Sequence, residues 1–232
     1  MSSTDIVREV DEELRKEQLE KLWLQYRGWI LITAALIVAV VAGYKGWQGY
    51  QAHQAATSGA QFDAASALQH DGKTDEALKA FDVIATSGSG AYAGLAGLRV
   101  AALTAAAGKT DDALARYETL ANASALDANL RGFAQIQAAQ LRLDKADFAE
   151  MQTRLGGLAK PESAWRQSAR QLLGLSAYKS GKLTEAEDYF SQILADKAGR
   201  GPAGQMAEMM RELILSATAK PVVVPPAVTK TN

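Results

Sequence analysis

The most strongly patterned part of the chain is an apolar stretch near the N-terminus. Residues 28–44 carry no charged side chain, and Arg27 and Lys45 bound them. At about 1.5 Å per residue, a helix of this length covers roughly 26 Å, close to the hydrocarbon thickness of a bilayer. Trp29 and Trp47 stand 18 positions apart, like the two aromatic belts of a spanning helix. The pattern predicts one transmembrane helix rather than a buried core helix, marked by Gly28, Trp29, Leu36, Val41 and Tyr44.

The basic residues that flank this stretch predict its orientation. Four of them lie within the 13 residues before it, whereas only Lys45 follows before Lys73. Basic residues stay on the cytoplasmic side, so the N-terminus should be cytoplasmic and the C-terminal bulk should lie across the membrane. The alternative is a cleaved secretory signal that ends near Ala42. A leader of 27 residues with seven acidic side chains is long and acidic for such a signal.

Two segments border the predicted span. Residues 1–27 favour a helix with Ile6, Val10 and Leu14 on one side, which predicts a cytoplasmic amphipathic arm. The arm is either solvated or lies on the bilayer or a membrane partner, and its acidic excess favours a protein partner over anionic lipid. At the end of the span, glycines at 43, 46 and 49 share one helix face. They indicate either a helix-packing face or a flexible joint, so the transmembrane helix and joint together are expected over residues 28–50.

Beyond the span, the chain contains an internal repeat. Similar ten-residue segments start at Gly72, Gly108 and Gly181, and a weaker copy starts at Asp144, with offsets of 36, 36 and 37 residues. An alanine recurs five positions after each start, including Ala149 in the weaker copy. An aromatic residue recurs nine positions after the three good starts. The repeat is therefore marked by Ala77, Phe81, Ala113, Tyr117, Ala186 and Phe190 together with the three glycines.

This pattern is typical of a helix hairpin. The glycine ends one helix in the left-handed conformation, the alanine allows a close approach of two helices, and the aromatic residue fills the groove between them. Single hairpins cannot bury their apolar faces, so neighbours should stack into a right-handed array with a concave side. Thr74, Thr110 and Thr184 are the predicted N-caps. Helices are expected near 53–70, 74–86, 90–107, 110–122, 126–143, 145–157, 161–180, 183–196 and 202–218.

Charge and composition exclude several kinds of function. Beyond Lys45 the chain has 19 basic and 19 acidic residues, which argues against a nucleic-acid partner. The chain has no cysteine, and His53 and His70 lie too far apart in sequence for a helical metal pair. Gly-Lys-Thr at 72–74 and at 108–110 lacks the upstream glycine and strand of a phosphate-binding loop. We therefore expect no catalytic residue, cofactor site, metal site or small-molecule substrate, and no enzymatic activity.

The C-terminal part has two predicted segments. Residues 202–218 should form a helix whose methionines cap the last hairpin, with a pliable binding surface as the alternative. Residues 219–232 are rich in proline and poor in charge, which predicts a disordered tail.

The repeat resembles the tetratricopeptide repeat. The pattern of small residue, glycine, alanine and aromatic residue is met at Ala101, Gly108, Ala113 and Tyr117, and again from Gly174 onward. The period is longer than the usual length of about 34 residues, and the expected tryptophan and terminal proline are missing. The resemblance implies an all-α fold: a tetratricopeptide-like α-solenoid of about four hairpins plus a capping helix over residues 51–218, behind the single N-terminal transmembrane helix.

The layout of the whole chain resembles a narrower group. The chain looks like the YfgM-type ancillary subunits of the SecYEG translocon in the order of its segments. These are a short inside arm, a span that ends in GYKGWQGY, a first helix with QFDAA and a second-repeat helix with SGAYAGLAGLRVAAL. The leader VDEELRKEQLEKLW looks like that of alphaproteobacterial members. This resemblance implies a bacterial inner-membrane protein with a periplasmic repeat domain. Its implied partners are Sec translocon subunits, periplasmic chaperones and exported chains.

Two functional hypotheses follow from the sequence. The first is a single-span interaction scaffold whose concave face binds protein segments beside the translocon. The second is a homo-oligomeric structural protein of the envelope, in which the array and the glycine face self-associate. A soluble periplasmic domain released by cleavage is a third alternative.

Overall fold

The computed structural model describes the backbone of residues 3–88, 90–197 and 201–218, with side chains except at 3–22, 24, 30 and 90. Within these residues the protein is all-α and contains no strand. The predicted tail, 219–232, and the side chains that define the amphipathic arm lie outside the described residues. The helices are α1 (Ser3–His70), α2 (Thr74–Ser87), α3 (Gly90–Ala106), α4 (Thr110–Ala121), α5 (Ala128–Arg142), α6 (Phe148–Leu155), α7 (Arg166–Lys179), α8 (Leu183–Ala195) and α9 (Pro202–Thr218).

The first of two compact units runs to Ala56 and consists of α1 up to that residue. From Gln25 onward this helix contains an 18-residue window with a mean hydropathy of 1.8, none of which is buried. It is the one helix among the described residues that is long and apolar enough to cross a membrane. The marker side chains Trp29, Leu36, Val41 and Tyr44 are between 53% and 71% exposed, and Gly28 is exposed as well.

The second unit, from Thr57, is an array of helix hairpins. The last turns of α1 pair with α2, because Phe62 and Ala65 pack against the core around Phe81. The pairs α3–α4 and α7–α8 are in direct contact, as are α5 and α6, and α9 packs on α7 and α8. Four hairpins and a closing helix are therefore present within the described residues.

Three glycine turns connect the helices of these hairpins. Gly72, Gly108 and Gly181 have φ angles of +77°, +78° and +72°, the left-handed conformation that the sequence predicts. The N–H of Lys73 donates to the carbonyl of Leu68 at 2.9 Å, and the N–H of Gly72 donates to that of Gln69 at 3.2 Å. These two bonds form a Schellman motif, which satisfies carbonyls at the helix end.

Replacing Gly108 with alanine should lower the free energy of unfolding by about 1–2 kcal/mol, because a Cβ is strained at this φ although there is open space around it. The control is Gly157→Ala, at a position without positive φ and with nothing within 4 Å of an added Cβ. Chemical unfolding followed by circular dichroism measures both variants. Equal stability of the two variants would contradict the strain argument.

The predicted N-caps are wrong. Lys73, Lys109 and Lys182 occupy the cap positions and make no side-chain cap hydrogen bond, so the predicted threonines already lie inside the helices. The reason is the Schellman turn, after which a single residue links the two helices. Acidic residues in the first turn, such as Asp75, instead interact favourably with the helix dipole.

The repeated small and aromatic residues lie in the hairpin cores. Ala77, Ala113 and Ala186 are completely buried. Their aromatic partners, Phe81, Tyr117 and Phe190, are at most 3% exposed, and burial raises the pKa of the Tyr117 hydroxyl. Phe190 lies directly on Gly174, where an added Cβ would stand 2.8 Å from the ring. The small residue seven positions before the turn therefore makes room for the aromatic ring.

The third hairpin departs from the pattern. We expected Ala149 at the small buried position, but it is exposed, and the buried residues of α6 are Phe148, Met151 and Leu155. The carboxylate of Asp147 accepts a hydrogen bond from the N–H of Glu150 at 2.8 Å and caps the helix. This cap starts α6 three residues later than predicted and changes which face is buried.

The start of α7 was also predicted wrongly. The helix begins at Arg166 rather than near residue 161, because residues 156–164 form turns and bends rather than helix. This connection contains Gly156, Gly157 and Pro161. Glycine and proline favour turns and interrupt helices, which explains why α7 starts only after this segment. This connection brings Trp165 to the N-terminus of α7.

Candidate functional site

The first helices of successive hairpins lie side by side. Helix α3 contacts α5, and α5 contacts α7, although a second helix separates each pair along the chain. Helices that share this position form one continuous surface, which we call the first-helix face. Large side chains that line a depression on this face are candidates for binding.

The first-helix face contains an apolar groove between α3, α5 and the start of α7. We call this depression the groove. Its volume is about 360 Å³, and it is lined by Leu95, Leu98, Arg99, Ala102, Asn129, Leu130, Phe133 and Trp165. Five of these eight residues are leucine or aromatic. The groove can therefore bury apolar side chains of a partner, which is the main source of affinity in such sites.

Trp165 forms a fixed wall of the groove. Its indole Nε1–H donates to the carbonyl of Asn129 at 2.9 Å, and its ring centroid lies 5.5 Å from that of Phe133. The indole also lies against Gly132, where an added Cβ would collide with the ring. Because its polar atom is already satisfied within the protein, Trp165 presents only apolar surface to a ligand.

Two further hollows adjoin the groove. A hollow along Ala91, Leu126 and Asp127 shares Leu130 with it. A second hollow, along Leu158 and Lys160, shares Asn129 and Trp165. A groove that adjoins further hollows suits an extended chain better than a compact ligand.

Away from the groove, ion pairs join successive hairpins. These pairs are Asp82–Arg116 at 3.2 Å, Asp111–Lys145 at 3.3 Å, Glu118–Arg154 at 2.8 Å, Asp144–Lys179 at 2.9 Å and Glu187–Arg211 at 3.4 Å. Hydrogen bonds from Arg142 and Arg154 lower the pKa of the Glu150 carboxyl. Exposed pairs contribute little stability each, about 0–1 kcal/mol. None of these charged residues lines the groove.

A comparison with known families gives the array its identity. Residues 20–212 match the family described as a tetratricopeptide repeat-like domain. The chain belongs to this family. No curated protein matches the chain.

Membership of the tetratricopeptide repeat-like family makes the array a protein-interaction scaffold, since solenoids of this kind present extended binding surfaces. Domains of this family are typically not enzymes. In the part of the chain that the structure describes, no group of three or more His, Asp or Glu side chains is arranged to hold a metal ion.

The sequence-predicted repeat residues do not line the groove. The glycines 72, 108 and 181 are in the hairpin turns, and their alanine and aromatic partners are in the hairpin cores. Sequence reasoning missed Phe133 and Trp165. The available signal was that Trp165 is the one tryptophan beyond α1, in a segment where the tetratricopeptide pattern requires no large aromatic residue.

Proposed function

We propose that this chain is an inner-membrane scaffold of the YfgM type, which holds a periplasmic tetratricopeptide-like array beside the Sec translocon. The observation that carries the proposal is the apolar groove on the first-helix face of a protein of an interaction family. In this function the groove holds apolar segments of exported chains or of the periplasmic chaperones that accompany them. The array presents the groove, and the membrane anchor keeps it at the site of export.

The anchor is the apolar part of α1. Its side chains are exposed and its window of mean hydropathy 1.8 carries the composition of a spanning helix, which supports insertion into a bilayer. In this proposal residues 1–27 form the cytoplasmic arm and residues 28–50 the span and joint. Residues 51–218 form the periplasmic array, and residues 219–232 form the tail. The excess of basic residues before the span supports this orientation.

Association with the translocon rests on the order of the segments. An inside arm, a span that ends in GYKGWQGY and an array of four hairpins follow one another as in YfgM-type subunits. Lateral partners in the membrane would contact α1, and soluble partners would contact the first-helix face.

The test is site-specific photocrosslinking in living cells. A photoreactive residue in place of Ala102, which is exposed at the groove, should capture translocon subunits, periplasmic chaperones or exported chains. The control position is Val83, which is 59% exposed but lies on α2, away from the groove. Equal capture from both positions, or capture of cytoplasmic proteins from Ala102, would refute the proposed function.

One observation favours the homo-oligomeric alternative. The outer side of α9 exposes Met209 by 60% and Leu213 by 45%, at a spacing of four that places them on one face. A second copy could cover this face at the end of the array. The mass of the protein in detergent decides, since a monomer contradicts this alternative and leaves the scaffold in place.

A further inference from the structure

We infer that Arg99 makes the groove selective for apolar segments that carry an acidic side chain. This inference rests on the proposed function, because it names the chemistry of what the groove binds. The occupant is an extended internal stretch of a protein chain, with leucine-like side chains on the apolar floor and a glutamate or aspartate side chain at Arg99.

Arg99 differs from the other arginines of the array in having no partner. It is exposed and lines the groove from α3. Six other arginines in the described part of the array form ion pairs with carboxylates: Arg116, Arg142, Arg154, Arg166, Arg170 and Arg211. Arg131 donates to the carbonyl of Leu126 at 2.8 Å. Arg99 alone among the arginines described there makes no hydrogen bond or ion pair, so its guanidinium is available to a ligand.

The charge of the groove is complementary to one kind of side chain. Arg99 is the only charged residue among the eight that line it. The acidic residues of the two adjoining hollows, Asp127 and Glu162, do not line the groove itself. A guanidinium beside apolar walls binds a carboxylate through two parallel hydrogen bonds, and the walls reduce the screening of this pair by water.

The dimensions of the groove fit a short extended segment. The groove runs from α3 across α5 to the start of α7, which is two helix spacings of about 8–10 Å each. An extended chain covers this distance with roughly six residues, at about 3.3 Å per residue. Because the groove adjoins two further hollows, the bound stretch can continue past it and need not contain a chain terminus, so its carboxylate comes from a side chain.

Asn129 supplies a contact for the backbone of such a segment. Its side chain is exposed in the groove and makes no hydrogen bond within the described residues, while its carbonyl is used by Trp165. A free amide both donates and accepts, so it can pair with the N–H and C=O of an extended peptide without selecting its sequence. Asn129 thereby contributes to binding in general, and Arg99 contributes to selectivity.

The experiment compares two blocked, fluorescent peptides of about eight residues, leucine-rich and alike except for one central glutamate or glutamine. Binding to the full-length chain in lipid nanodiscs is followed by fluorescence anisotropy. We expect the glutamate peptide to bind about three- to tenfold more tightly, as for a partly screened charged hydrogen bond. The preference should shrink as the salt concentration rises.

The matched variants are Arg99→Gln and Arg116→Gln. Arg99→Gln should abolish the preference, because it weakens binding of the glutamate peptide much more than binding of the glutamine peptide. Arg116→Gln changes another exposed arginine, away from the groove, and should keep the preference. Both substitutions lie on the surface, and circular dichroism checks that each variant is folded.

The outcomes separate the inference from the proposed function. If both peptides bind the wild type equally, or if Arg99→Gln keeps the preference, the selectivity is refuted while the groove still binds. If neither peptide binds, the proposed function fails together with the inference. If peptide binding appears only on dilution of the protein, a second copy of the chain occupies the groove and the inference is overturned.

Discussion

Replacing Phe190 with alanine should lower the free energy of unfolding of the array by about 3–5 kcal/mol. Phe190 is completely buried in the largest core cluster, which joins α5 through α9. Its ring lies on Gly174, which has no side chain that could move into the space that the ring leaves. The neighbouring helix backbones are held by their own hydrogen bonds, so the cavity should remain largely open.

Chemical unfolding of the full-length chain in detergent, followed by circular dichroism, measures this loss. The control is Val83→Ala, which removes apolar atoms from a side chain that is 59% exposed and should change stability by less than about 0.5 kcal/mol. Hydrogen exchange should show faster opening of α7 and α8 than of α2 in the Phe190 variant, since each hairpin contacts mainly its neighbours. Similar losses in the two variants would contradict the packing argument.

The sequence predicts the hairpins well because each glycine turn combines several local signals. At Gly72, the need for positive φ, the following acidic first turn and the spacing to Ala77 and Phe81 all indicate the same geometry. The same agreement holds at the turns at 108 and 181. Where local signals agree in this way, both the ends of the helices and their buried faces follow from the sequence.

The third hairpin shows where this reasoning fails. At Asp144 there is no glycine, so the start of α6 is set by the Asp147 cap, and the alignment that placed Ala149 in the core is wrong. The hydrogen bond of this one side chain sets where α6 starts and therefore which of its faces is buried. Without the glycine, the repeat pattern does not indicate where the helix starts.

The groove could not be predicted because it depends on contacts between hairpins. The contact of Trp165 with Gly132 joins residues 33 positions apart, in a connection that the repeat pattern leaves undefined. The pattern predicts what each hairpin buries inside itself, as at Ala113 and Tyr117. It does not indicate which residues remain uncovered where one first helix meets the next, and these residues form the candidate site.

The two long sides of the array therefore differ in chemistry. Between second helices, contacts are made by ion pairs such as Glu118–Arg154, whose partners are 30% and 41% exposed. Between first helices, contacts are made by apolar and aromatic groups such as Phe133 and Trp165. Water solvates the ion pairs between second helices well and the apolar groups between first helices poorly. The first-helix face therefore gains more from being covered by a partner.

Replacing Asp196 with alanine should cost about 3 kcal/mol, at the lower end of the range for breaking a buried ion pair. Asp196 follows α8 and is 14% exposed; Arg170 of α7, at 8% exposure, donates to it at 3.4 Å, and Arg166 donates to both of its oxygens. Without the carboxylate, a buried guanidinium loses its counter-charge. It keeps only the carbonyls of Ala159 and Gln192 as acceptors.

The matched control is Asp82→Ala, which breaks the ion pair with Arg116. The side chains of Asp82 and Arg116 are 45% and 48% exposed. Water replaces the lost carboxylate there, so the cost should be between about 0 and 1 kcal/mol. Thermal unfolding of both variants under identical conditions gives the comparison. Because Arg170 also ties the loop at Ala159 to α7, the Asp196 variant should loosen the connection that positions Trp165, and binding of the glutamine peptide should weaken in parallel. A stable Asp196 variant with unchanged peptide binding would show that the wall of the groove is held by its own contacts with α5 alone.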